Sequence, residues 1–86
     1  LMKYLSSNIK YPTISQETGS QGKVIVQFVV DRDGTISNPE VVRGVDPYLD
    51  KEAIRVISSM PKWTPGVQNG KKVRVKYTVP VSFRLQ

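Results

Sequence analysis

The spacing of apolar residues along this chain changes three times, and each change marks a new element. Met2, Leu5 and Ile9 recur at intervals of three and four with Lys3, Ser6, Ser7 and Lys10 between them, which is one apolar stripe of a short helix. Pro12 ends it, because the residue before a proline is pushed out of the α region; Tyr11 is expected to be extended and the chain to change direction there. Pro12 is itself preset to open a second short helical turn, with Gly19 as its C-terminal stop. From Gly22 the period becomes two. Val24, Val26, Phe28 and Val30 take one face while Lys23, Ile25, Gln27 and Val29 take the other, which predicts a central strand with apolar groups on both sides.

Asp31-Arg32-Asp33-Gly34 predicts a tight turn, since Gly34 can take the positive φ that a hairpin demands. A second strand follows from about Thr35 to Arg43, in which Pro39 lacks a ladder donor and marks a sheet edge or a bulge. Asp46-Pro47 starts a helix, with an aspartate to cap free backbone donors and a proline suited to the first helical position. Leu49, Ala53, Val56 and Met60 line one face of that helix, and Asp50 and Glu52 near its start with Arg55 further along agree with the macrodipole. Pro61 ends it. Residues 61–71, with the turn pairs Pro65-Gly66 and Asn69-Gly70, read as a loop anchored by the single Trp63. In the last segment Val73, Val75, Tyr77, Val79, Val81, Phe83 and Leu85 alternate with Arg74, Lys76, Thr78, Pro80, Ser82 and Arg84. The order helix, hairpin, helix, strand predicts an α+β fold, a three-stranded antiparallel sheet with helices packed on one face. A right-handed crossing lays the final strand beside the first and leaves it at an edge.

Composition narrows the chemistry. A chain of 86 residues wraps one core, burying about 60 to 65 % of its unfolded surface, so 1–86 is expected to be a single domain. There is no cysteine and no histidine, which removes thiolate chemistry, Cys-ligated zinc and the commonest general base and metal ligand. No nucleophile, base and orienting group can be assembled from what is left, so neither an enzyme nor a cofactor is expected. Asp31-Arg32-Asp33-Gly34 has part of the look of a calcium loop but lacks the closing bidentate acid. Gly66-Val67-Gln68-Asn69-Gly70-Lys71 is one residue short of a phosphate loop, and Lys72 stands where Ser or Thr is needed. The net charge is +6, and no acid follows Glu52, so the C-terminal third carries a positive field able to attract nucleic acid, anionic lipid or an acidic protein segment. No apolar run reaches the roughly 20 residues that cross a bilayer. Because an amphipathic pattern is already running at Leu1, the chain is expected to be a fragment whose anchor or export signal lies upstream.

Within this frame, five stretches together resemble the C-terminal domain of TonB family energy transducers. They are Tyr11-Pro12 followed by Gly19-Ser20-Gln21-Gly22-Lys23-Val24; Phe28-Val29-Val30-Asp31-Arg32-Asp33-Gly34-Thr35-Ile36; Leu49-Asp50-Lys51-Glu52-Ala53; Met60-Pro61-Lys62-Trp63-Thr64-Pro65-Gly66; and the run from Asn69-Gly70-Lys71 to Val79-Pro80-Val81-Ser82-Phe83. The resemblance implies a periplasmic domain anchored in the inner membrane of a Gram-negative bacterium through an upstream segment that works with an ExbB and ExbD type motor. It implies that the domain captures the TonB box, a short N-terminal segment of an outer-membrane transporter, by strand addition, and passes force to it. It also places Tyr11 and Pro12 near the docked peptide.

The residues themselves suggest where such a peptide would lie. Pro80 is best tolerated where its backbone faces away from the sheet, and the same parity turns the main-chain groups of Arg74, Lys76 and Thr78 to the open edge if no bulge intervenes. Lys72, Arg74 and Lys76 admit two readings: charges that keep an exposed edge from pairing with its own copies, or charges that attract an acidic receptor segment. An RNA-binding module is the other class a basic α+β domain allows, since Gly19-Ser20-Gln21-Gly22 superficially matches the Gly-x-x-Gly loop of KH domains. That loop should join two helices, whereas Gly22 opens a strand, so nucleic acid is not expected as a partner. Weak pairing of two copies through the edge strand, giving a homodimer, is the remaining alternative.

Overall fold

The computed structural model describes residues 8–85; of the N-terminal apolar stripe, Met2 and Leu5 lie outside the described residues, and Ile9 packs against the core. Helix α1 spans Thr13–Thr18, entered from Pro12 at φ −59° and ψ 133° and closed by Gly19 in the left-handed region at φ 73°. So short a helix is marginal alone. It is held by the fully buried Ser15, whose hydroxyl donates to the Asp46 carboxylate at 3.1 Å.

Strand β1 runs Gly22–Val30 and β2 runs Ile36–Arg43. Helix α2 spans Pro47–Ser58, and Asp46 caps it, accepting from the Leu49 N–H at 2.7 Å. Its buried face holds Leu49, Glu52, Ala53, Val56 and Ile57. Met60 falls past the helix end and packs only partly against the core, so Ile57 takes the place that spacing gave to Met60. Strand β5, Val75–Phe83, completes a sheet of order β2-β1-β5 with both pairings antiparallel. Val24, Val26, Phe28 and Val30 of β1 and Val79, Val81 and Phe83 of β5 meet α2 in one core. Each such side chain contributes about 1.5 to 3 kcal/mol by leaving water.

Two expectations need correction. Residues 61–71 are not simply a loop, and the last apolar alternation is not one strand: β3, Gly66–Gln68, pairs with β4, Lys71–Val73, as a separate two-stranded hairpin. Asn69 and Gly70 both take positive φ, 53° and 76°, as a two-residue primed turn requires. The alternation continues through Arg74 while the partner changes, Val73 facing Gly66 and Val75 facing Val30. Periodicity reports which way side chains point and cannot report which strand lies alongside.

Trp63 anchors this region as expected. Its N–H donates to the Gly34 carbonyl at 2.9 Å, and its ring lies 5.3 Å from Phe28 and 5.1 Å from Tyr77. Gly34 is constrained twice: its φ is +87°, and a Cβ there would stand 2.1 Å from the Trp63 carbonyl oxygen.

Candidate functional site

Strand pairing decides which backbone groups of the sheet remain available. In a regular antiparallel ladder, successive residues turn their N–H and C=O alternately to one neighbour and the other. β5 pairs with β1 residue for residue, from Gly22↔Phe83 to Val30↔Val75, with no shift, and Pro80 faces Ile25. Pro80 cannot donate, so this pair belongs to the non-hydrogen-bonded set. Lys76, Thr78 and Ser82 share its parity, and their main-chain groups turn away from β1 to a flank along which no described strand pairs. Their side chains are exposed on the sheet face opposite α2, while those of Val79, Val81 and Phe83 are buried.

The remaining candidates sit around this flank in different ways. Lys72 lies in β4, opposite Val67. Arg74 falls between β4 and β5, and its Nε donates to Asp31 Oδ1 at 2.7 Å, so part of its charge is turned to the β1–β2 turn, where Ser37 also donates to Asp31 at 2.8 Å. Tyr11 stands at the other end of β5, its ring edge-on to Phe83 with centroids 5.7 Å apart. Its hydroxyl donates to the Ser20 carbonyl, and burial, with the nearby Asp46 carboxylate, raises its pKa. The Pro12 carbonyl accepts from the Gln16 N–H at 3.0 Å as the first bond of α1.

Glu52 is the residue that sequence reasoning undervalued. Its place near the start of α2 suits the helix dipole, and its carboxylate also accepts from Arg55 Nε at 2.7 Å, from Arg55 Nη2 at 2.6 Å and from the Lys10 backbone N–H at 2.6 Å. Arg55 Nη2 also donates to the Asn8 carbonyl at 3.0 Å. The Arg55 bonds, with help from the Lys10 N–H and against the opposing effect of burial, hold the Glu52 carboxyl below its ordinary range. The pair ties the segment leading into Tyr11 onto α2. A signal was present: Glu52 stands three residues after Leu49 and four before Val56, on the stripe that the helix buries.

Across the open face, a groove of about 720 Å³ runs between the Asn38-Pro39 bulge and Arg74–Lys76. Among the described residues no group of His, Cys, Asp and Glu is placed to hold a metal, and no helix is long and apolar enough to cross a membrane.

Residues 7–85 match the family described as Gram-negative bacterial TonB protein C-terminal. Among curated relatives, Protein TonB of Haemophilus influenzae is 31% identical over 83 residues, covering 92% of this chain and 31% of that one. Protein TonB of Helicobacter pylori is 26% identical over 83 residues, covering 95% of this chain and 28% of that one. Protein TonB of Pseudomonas aeruginosa is 31% identical over 78 residues, covering 88% and 22%. The chain thus spans less than a third of the length of these relatives. The solution structure of Helicobacter pylori TonB-CTD residues 179–285 superposes with a TM-score of 0.75 at 25% identity, covering 98% of this chain and 76% of that one.

Proposed function

The chain belongs to the Gram-negative bacterial TonB C-terminal family, and from that premise we propose that it captures the TonB box of an outer-membrane transporter as an added strand along β5. The observation that carries this reading is the uninterrupted β1–β5 ladder with Pro80 in it, which leaves the donors and acceptors of Lys76, Thr78 and Ser82 unpaired within the sheet. Each main-chain bond to a docked peptide contributes about 0.5 to 1.5 kcal/mol net. A handful gives modest, reversible affinity, and a pull along the peptide loads these bonds together. That suits a domain of a periplasmic energy transducer, fixed to the inner membrane through an upstream segment and driven by an ExbB and ExbD type motor. The domain's role is mechanical and needs no catalytic group or cofactor. Tyr11 and Pro12, at the Phe83 end of the strand, would border the docked segment.

Titration of the isotope-labelled protein with a TonB-box peptide, followed by NMR, tests this. Shifts should concentrate at the amides of Lys76, Thr78 and Ser82 and at Tyr11. Amides that stay put along β5 at millimolar peptide would remove the proposal, and shifts produced by RNA instead would replace it with the nucleic-acid reading.

A further inference from the structure

The free flank does not stop where β5 stops. In a two-residue hairpin the residues bracketing the turn form a hydrogen-bonded pair, here Gln68 and Lys71. Val67 and Lys72 are then a non-hydrogen-bonded pair, so the main-chain groups of Lys72 turn away from β3. Gly66 shows that the alternation carries through Arg74 unbroken: a Cβ on Gly66 would meet Val75 Cγ2 at 2.6 Å and Val73 Cγ2 at 3.5 Å. Both valine side chains therefore lie on one face, and positions 72, 74 and 76 keep one parity. β3 takes over from β1 as neighbour on the same side, and the opposite flank runs from Lys72 to Ser82, about 33 Å at 3.3 Å per residue.

This flank is graded in charge. Lys72, Arg74 and Lys76 occupy three successive alternate positions at one end, while Thr78, Pro80 and Ser82 at the other are neutral. Asp31 offsets Arg74 and Glu40 faces the groove beside Arg74 and Lys76, so Lys72, exposed at the far end, is the cation with least opposition. An extended partner laid along the whole flank would meet an uncharged half and a cationic half.

We propose that the docking edge continues past Arg74 onto β4, and that its partner carries an acidic stretch, contiguous with the segment paired to β5, that lies beside Lys72 to Lys76. This rests on the reading of β5 as a peptide-docking edge, and it adds the length of the interface and the chemistry of the partner beyond the box.

The test uses a TonB-box peptide and two longer versions of it, each extended by six residues with either glutamate or glutamine at alternate positions, and each made with the extension at either end. The glutamate version in one of the two placements should bind roughly fivefold tighter than its glutamine counterpart at low salt, and the difference should vanish near 0.5 M salt. It alone should shift the amides of Lys72 and Arg74. Lys72→Gln should halve that gain, measured as the ratio of glutamate to glutamine affinities within the variant. Equal affinities for the glutamate and glutamine versions in both placements, or unmoved amides at Lys72 and Arg74, would overturn the inference while leaving β5 docking intact. If the parent peptide leaves Lys76, Thr78 and Ser82 unmoved, the reading of the edge fails and takes this extension with it.

Discussion

One sheet here has two edges, built by opposite means. The outer strand β2 loses register with β1 twice, between Ile25 and Val26 and between Gln27 and Val29. The first shift leaves Val42 as an extra residue, and the second places both Asn38 and Pro39 opposite Phe28. Asn38 takes φ 51° and Pro39 has no N–H to offer. Bulges and proline disrupt the straight row of donors and acceptors that an incoming strand needs. β5 carries a proline too, but in an unshifted ladder, where its missing N–H costs the sheet nothing. The same residue type helps to close one edge, while at the other it spares the β1 ladder and removes a single donor from the open flank, and the difference lies in register and backbone parity.

A proline scan along β5 would break that comparison most sharply. Val79 turns its backbone to β1 and its side chain to the core, at 8 % exposure. Val79→Pro removes a ladder donor and should destabilise the fold by about 3 to 5 kcal/mol in chemical denaturation. Thr78→Pro, one residue away, should cost less than about 1 kcal/mol, yet it deletes a donor from the free flank and should weaken peptide binding about two- to tenfold. Equal destabilisation by the two substitutions would show that the parity assignment is wrong.

At the closed edge the expected effects are smaller and confined to stability. Asn38→Val forces a β-branched residue into the left-handed region and should cost about 1 to 2 kcal/mol. Asn38→Gly should be neutral or slightly stabilising. Neither should alter peptide affinity beyond twofold, because β2 lies on the far side of β1 from the open flank of β5. A large change in affinity with Asn38→Val would mean that the bulged edge also takes part in recognition.

Much of this architecture was legible in the residues. The period of two in β1 and β5, the aspartate and proline that open α2, and Pro39 as the mark of a disturbed edge all express local rules that survive into the fold. What was not legible depends on partners distant in the chain. The break at Arg74 is invisible to periodicity because Val73 and Val75 keep facing the same way while β3 replaces β1 beside them. The exchange of Met60 for Ile57 arises because α2 ends at Ser58, three residues short of Pro61, the stop that the residues predict. Of the candidate site, the strand residues share a flank because alternation is local. That Tyr11 stands against Phe83 is a long-range contact for which the residues alone offered only the family resemblance.

The smallest effect concerns how Tyr11 is kept at the open edge. Glu52 and Arg55 bind the backbone of Lys10 and Asn8, just ahead of Tyr11. Because the folded state holds the Glu52 carboxyl below its ordinary value, its contribution is fully present above that value and is lost as pH falls through the lower folded one. Glu52→Gln should therefore cost about 1 kcal/mol near pH 7, and the gap between the variant and the parent protein should close as pH drops toward 3. The variant should also loosen the Tyr11 end of β5, read as faster amide exchange at Tyr11, with exchange in β2 unchanged. A stability gap that persists undiminished at pH 3 would show that packing of the side chain, and not its charge, holds this segment in place.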